Sequence, residues 1–275
     1  MFDTIKQMLS YPFLTRALIV GTLVALCAAL LGVNLVLKRY SMIGDGLSHV
    51  GFGALAIAQA MGAAPLSVAI PVVIAAAFLL LRLSERSKIK GDAAIALIST
   101  GSLAVGVMVI SITTGMNVDV CNYMFGSILA MSKSDVTLSV ILSIAVLILY
   151  LIFYAQIFAV TFDEGFACAT GVKAGLYNML LALLTAVTVV IGMRLMGALL
   201  ISSLVIFPAL TAMRLMRSYR SVIVCAAIIS VVNFLIGMTI SYLAATPAGA
   251  SVVAVNMVAL GAFAAIAFIR ERRKA

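Results

Sequence analysis

The chain is poor in what a water-soluble domain is made of. Only 10% of its 275 residues are charged, tryptophan is absent, and there is a single histidine, His49. A soluble domain carries about a quarter charged residues, so the scarcity of charge excludes that class and makes lipid the solvent. The four cysteines, Cys27, Cys121, Cys168 and Cys225, lie far apart with no CxxC pair and no Cys/His cluster. That excludes a disulfide framework and a structural zinc site. No GxxxxGKS/T nucleotide loop, HExxH or GxSxG occurs, so catalysis by this chain alone is not expected. No small-residue cleavage site follows the first apolar run, and no removable signal peptide is expected.

What fills the chain instead is hydrophobic: 65% of residues, with a mean hydropathy of +1.27. Several apolar runs reach the roughly 20 residues that cross a ~30 Å hydrocarbon core as a helix, and none alternates as a membrane barrel strand does. The expected fold is therefore an all-α integral membrane protein, one polytopic domain over residues 1–275. Charges and Pro/Gly breaks place helices at 14–37, 43–62, 65–83, 92–115, 136–158, 175–193, 196–214, 221–244 and 250–269. That makes about nine crossings, eight if two runs merge. The formal charge of +9 would suggest nucleic acid in a soluble protein; here the basic residues sit in short loops and read as topology signals, with no nucleic-acid partner expected. On nine crossings, Lys38, Arg39, Arg82, Arg86, Lys88, Lys90, Lys173, Arg214, Arg217, Arg220, Arg270, Arg272, Arg273 and Lys274 share one side. Only Lys6, Arg16, Lys133 and Arg194 oppose them. The positive-inside rule then puts the N-terminus outside and the C-terminus in the cytoplasm of a cell (inner or plasma) membrane. Between Gly115 and Asp135 the apolar stretch Tyr123 to Met131 is too short to span and reads as a helix dipping into the outer face. Asp119 before it reads as a solvated loop carboxylate that could also receive a cation.

Inside the second run lies GDGLSHVGFG, with Asp45 and His49. Residues four apart share a helical face about 6 Å apart along the axis, so both side chains can converge on one object. A carboxylate inside a span costs about 3 kcal/mol on insertion scales and marks a pathway or a partner. Carboxylate oxygen with imidazole nitrogen suits a first-row divalent ion, zinc, manganese or iron. The pair could equally satisfy itself or relay protons, and spacing alone leaves these readings open. Ser102 and Gly106, like Gly44, Gly46, Gly51 and Gly53, allow close helix packing.

A second polar interruption, FDEGFACATGV at 162–172, falls on the expected cytoplasmic side. Asp163 and Glu164 suit the first turn of a short helix, where negative charge favours the dipole. Phe162, Phe166 and Ala169 recur at helical spacing. A surface loop and a helix that docks a cytoplasmic partner both fit this composition.

Taken in order, GDGLSH (44–49), KGDAAIALISTGSLAVGVMVIS (90–111), NYMFGSILAMSKSD (122–135), FDEGFACATGV (162–172), MGALLISSLVIFPALTA (196–212) and TPAGASVV (246–253) resemble the membrane permease subunits of ABC-type importers for zinc and manganese. The resemblance implies a type II ABC-importer-like bundle that works as a homodimer with a cytoplasmic ATP-binding subunit beneath and an extracytoplasmic metal-binding protein outside. It implies that Asp45 and His49 are pathway metal ligands. It further implies that Phe162, Asp163, Glu164, Phe166 and Gly171 belong to the segment that couples to the ATPase. ATP hydrolysis is then expected on the separate subunit, with Zn2+ or Mn2+ as cargo and no permanently bound cofactor. Gly46 stands where such permeases often have alanine. The resemblance does not choose between zinc, manganese and iron; zinc is the leaning.

Overall fold

The computed structural model describes residues 10–86, 91–113 and 132–272. Lys6, Lys88, Lys90, Asp119, Cys121, the 122–131 segment, Arg273 and Lys274 lie outside the described residues. Among the described residues the chain is helical, with no strand: α1 (Pro12–Leu37), α2 (Ile43–Ala60), α3 (Pro65–Arg86), α4 (Gly91–Thr113), α5 (Lys133–Ile152), α6 (Tyr154–Phe162), α7 (Glu164–Ala169), α8 (Ala174–Met196), α9 (Ala198–Leu215), α10 (Tyr219–Ala244) and α11 (Ala248–Arg272). Eight of these are long and apolar enough to cross a membrane. The ninth long helix, α2, is not among those eight, since Asp45, His49, Gln59 and its glycines dilute its apolar content. Most of it lies inside the protein: 13 of its 18 residues are buried, and α3, α4, α8 and α9 pack against it.

Two helices organise the bundle. The first is α1, which packs against α5, α6, α8, α9 and α10; the second is α2, and α8 and α9 lie between the two. Close approach explains the small residues. A Cβ on Gly53 would come within 2.7 Å of the Ser102 carbonyl oxygen, and one on Gly106 within 3.0 Å of the Gly53 Cα, so α2 and α4 cross nearly backbone to backbone. Gly32 of α1 lies just as tightly against the Val205 carbonyl of α9.

The turn between α8 and α9 is sunk into the protein. Met196 and Phe234 close over Gly21, which is nine residues, about 13 Å, along α1 from its start. The turn is made by Gly197 at φ 84°, ψ 161°, a conformation open to glycine and strained for a side chain. The run expected at 196–214 is thus a helix of 18 residues whose first turn lies inside the bundle.

One expected element is divided. The run at 136–158 breaks at Phe153, where ψ swings to 15° and α5 gives way to α6. No proline or glycine stands there to signal it. The cause is tertiary aromatic packing in two directions: Phe153 against Tyr177 of α8 at 5.8 Å, and Tyr154 against Tyr219 of α10 at 5.6 Å between ring centroids.

The basic loops gather at one end. Lys38, at the close of α1, meets Glu164 of α7 at 3.4 Å. Phe162 meets Tyr219 edge-on, 5.7 Å between centroids, and Arg214, Arg217, Ser218 and Arg270 line one cleft beside it.

Candidate functional site

The site begins at the corner between α1 and α2. Leu37 ends α1, and Arg39 takes a left-handed φ of 62°, the place where glycine usually stands. Tyr40 N–H donates to Leu35 O at 2.7 Å and Arg39 N–H to Val36 O at 3.1 Å, the paired bonds that fix a helix end tightly. Ile43 N–H then bonds Tyr40 O at 3.0 Å, so α2 starts at once and Asp45 falls in its first turn. Depth follows from packing: Val205 of α9 touches both Gly32 and Gly44. Gly32 lies five residues, about 7.5 Å, inside the end of α1, and His49 lies about as far again beyond Gly44. The pair therefore sits well within the bundle.

The Asp45 Oδ2 and His49 Nε2 atoms are 3.6 Å apart. Two ligands held at about 2.1 Å from one ion, in tetrahedral arrangement, are about 3.4 Å apart. The helix thus presents its oxygen and nitrogen at the separation that one ion requires. Neither side chain is sealed: His49 retains 21% exposure and Asp45 39%. The other Asp45 oxygen, Oδ1, accepts a bond from the Ser202 hydroxyl at 3.0 Å, which leaves Oδ2 turned to the histidine. The sunken α8–α9 turn is what brings Ser202, four residues after Ala198, to this depth. No cluster of three or more His, Cys, Asp or Glu side chains exists among the described residues, which here bring together one carboxylate, one imidazole and the Ser202 hydroxyl.

The second predicted segment is the short helix α7, closed at its start by the Asp163 carboxylate, which accepts from Phe166 N–H at 2.9 Å. Gly171, at φ 87°, turns the chain back towards α8. Phe162 and Phe166 are 59% and 65% exposed, a large apolar offering beside a charged surface. Glu164 points the other way. Its carboxylate takes Lys38 Nζ at 3.4 Å and Asn178 Nδ2 at 3.1 Å, while Lys38 Nζ also donates to Asn178 Oδ1 at 2.5 Å.

Sequence reasoning passed over three residues of this region. Ser202 lay inside the 196–212 motif but carried no signal of its own. Asn34 and Lys38 stand one turn apart on α1. Asn34, fully buried, donates to Tyr150 OH at 2.9 Å and accepts from Tyr219 OH at 2.6 Å and Thr161 Oγ1 at 3.2 Å. A lone amide in an apolar run is a polar group that must find partners in the membrane, and that rule would have found it.

Known proteins resemble this chain in sequence and in fold. The chain is 29% identical over 249 residues to a manganese transport system membrane protein of Halalkalibacterium halodurans, covering 90% of this chain and 85% of that one. It is 29% identical over 243 residues to a high-affinity zinc uptake system membrane protein of Haemophilus influenzae, covering 88% and 93%. Its fold matches PsaBC from Streptococcus pneumoniae, solved in complex with Fab, with a TM-score of 0.83 and 29% identity over 97% of this chain and 94% of that one. The model of the ABC 3 transport family matches residues 10–268, nearly the whole of the helical bundle, and the chain belongs to that family.

Proposed function

We propose that this protein is the permease subunit of an ATP-driven importer of a divalent metal ion, with zinc the leading cargo and manganese or iron the alternatives within the same chemistry. The observation that carries this reading is the Asp45–His49 pair, 3.6 Å apart on an enclosed helix. Two strong ligands and one hydroxyl make a weak site, and weak sites suit transit, because an ion that enters must also leave. The relatives named for manganese and zinc transport support metal cargo.

Two chains forming a homodimer would set two such pairs side by side at the pathway. The 162–172 segment would dock on the cytoplasmic ATP-binding subunit through Phe162 and Phe166, with Gly171 allowing the return of the chain. A metal-binding protein would deliver ions from outside. The gathering of Lys38, Arg214, Arg217 and Arg270 at one end supports placing that end, and the C-terminus, in the cytoplasm. Thiol labelling of Ser218→Cys from outside intact cells tests that orientation and is expected to fail.

The function itself is tested by zinc and manganese uptake, measured separately, into vesicles holding this chain with its ATPase and binding protein. ATP-dependent uptake that favours one ion supports the reading and names the cargo. Uptake that persists without ATP and follows the proton gradient would replace it with a secondary transporter in which Asp45 and His49 relay protons.

A further inference from the structure

We propose that Asn34 and Lys38, one turn apart on α1, are the positioning residues that carry movement of the 162–172 segment to the α1–α2 corner and so to Asp45 and His49. The inference rests on the function proposed above and adds the route by which an event at the coupling segment reaches the ligands.

Residues four apart lie on one face of a helix, and this face of α1 holds the start of the coupling segment at two points. At its entrance Thr161 donates to Asn34 Oδ1 at 3.2 Å. At its first helical residue Glu164 meets Lys38 Nζ at 3.4 Å, and Asn178 of α8 closes the ring to both. Lys38 is only 8% exposed in its side chain while Glu164 is 51% exposed, so the lysine's charge depends on this half-solvated carboxylate and on the Asn178 Oδ1 atom. Asn34 is tied further to Tyr150 of α5 and Tyr219 of α10. Every amide and hydroxyl in this group is thus occupied, which makes it a stiff joint.

The corner beyond Lys38 is equally stiff. The two bonds at Arg39 and Tyr40 fasten it to the end of α1, and the Ile43 bond to Tyr40 fastens the start of α2 to it. Asp45 is only seven positions along the chain from Lys38. A displacement of α6 and α7 together cannot leave α1 in place without breaking the Thr161 and Glu164 contacts, and a displacement of α1 turns the first turn of α2, where Asp45 stands against Ser202. The exposed Phe162 and Phe166 remain free to meet a partner while Glu164, on the opposite side, holds the bundle.

The test uses the full complex of permease, ATPase and binding protein in vesicles and reads the number of metal ions moved per ATP hydrolysed. Lys38→Met keeps the stem and removes the donor. It is expected to lower that ratio about tenfold, the scale of one lost charge-assisted bond, with assembly and basal ATP hydrolysis retained. Lys38→Arg keeps charge and donors and is expected to stay within about threefold of wild type. Thr161→Val, nearly isosteric, is expected to lower the ratio about threefold, and it decides alone if Lys38→Met does not assemble. An unchanged ratio in assembled Lys38→Met, or in Thr161→Val where that variant decides, overturns the proposal. So does a fall in transport matched by an equal fall in ATP hydrolysis, because a merely structural contact would lower both together. If the wild-type complex moves no metal at all, the proposed function fails first, and the two failures are told apart by that control.

Discussion

Two polar groups are set among the helices of this bundle, and they are built in opposite ways. At the 162–172 end, Asn34, Lys38, Glu164, Asn178, Thr161, Tyr150 and Tyr219 close on one another, and Lys38 is 8% exposed. Around Asp45 and His49 the bonding is sparse: one hydroxyl on one carboxylate oxygen, a 3.6 Å gap between the two side chains, and exposures of 39% and 21%. A saturated network resists rearrangement, whereas an under-bonded pair keeps its lone pairs for a visitor. The contrast divides the labour along one continuous stretch of chain: rigidity at the end of α1, unspent lone pairs in the first turns of α2.

The contrast can be broken or sharpened by substitution. Removing a ligand should have the largest effect. Asp45→Asn and His49→Ala are each expected to cut metal uptake by more than about a hundredfold, beyond what loss of a supporting contact does, with membrane insertion and complex formation unchanged by blotting and co-purification. Normal uptake in either variant would remove that residue from the pathway. Closing the space around the site comes next. Gly53→Val would drive a branched side chain onto the Ser102 carbonyl, and overpacking of this kind costs about 1–3 kcal/mol. A lower midpoint of thermal unfolding in detergent is expected, and an unchanged midpoint would contradict the close α2–α4 crossing. At the other region, Phe166→Ala is expected to weaken capture of the ATPase about tenfold in a binding titration, as loss of an exposed aromatic anchor does, while leaving metal binding by the permease unaltered. Unchanged capture would assign docking elsewhere. Smallest of all, Ser202→Ala removes one bond to Asp45 and should reduce uptake about threefold; a loss as large as that of Asp45→Asn would make Ser202 a ligand in its own right.

Much of this was legible from the residues. Apolar runs bounded by charges and Pro/Gly breaks placed the long helices: the run expected at 221–244 became Tyr219–Ala244, and that at 43–62, diluted by Asp45 and His49, became Ile43–Ala60. Asp45 and His49 stood out because ionisable groups in an apolar run are rare, and the structure brings them together. The sequence puts Asp163 and Glu164 in the first turn of a short helix; Glu164 stands there, while Asp163 sits one residue earlier and caps the helix through Phe166 N–H. What stayed hidden depended on tertiary contact. The break at Phe153 carries no local mark, since it arises from rings packing on α8 and α10. Ser202 is one serine among many until the buried turn at Gly197 sets its depth. The pairing of Glu164 depends on Lys38, 126 positions away in sequence.

The central claim, that Asp45 and His49 hold the ion in transit, is tested most directly by X-ray absorption at the zinc edge on the purified permease with zinc added. The account predicts a shell containing one imidazole nitrogen and carboxylate oxygen per chain at about 2.0–2.2 Å, with the imidazole signal lost in His49→Ala. A shell with no imidazole, or a spectrum unchanged by His49→Ala, would contradict it, since His49 is the chain's only histidine.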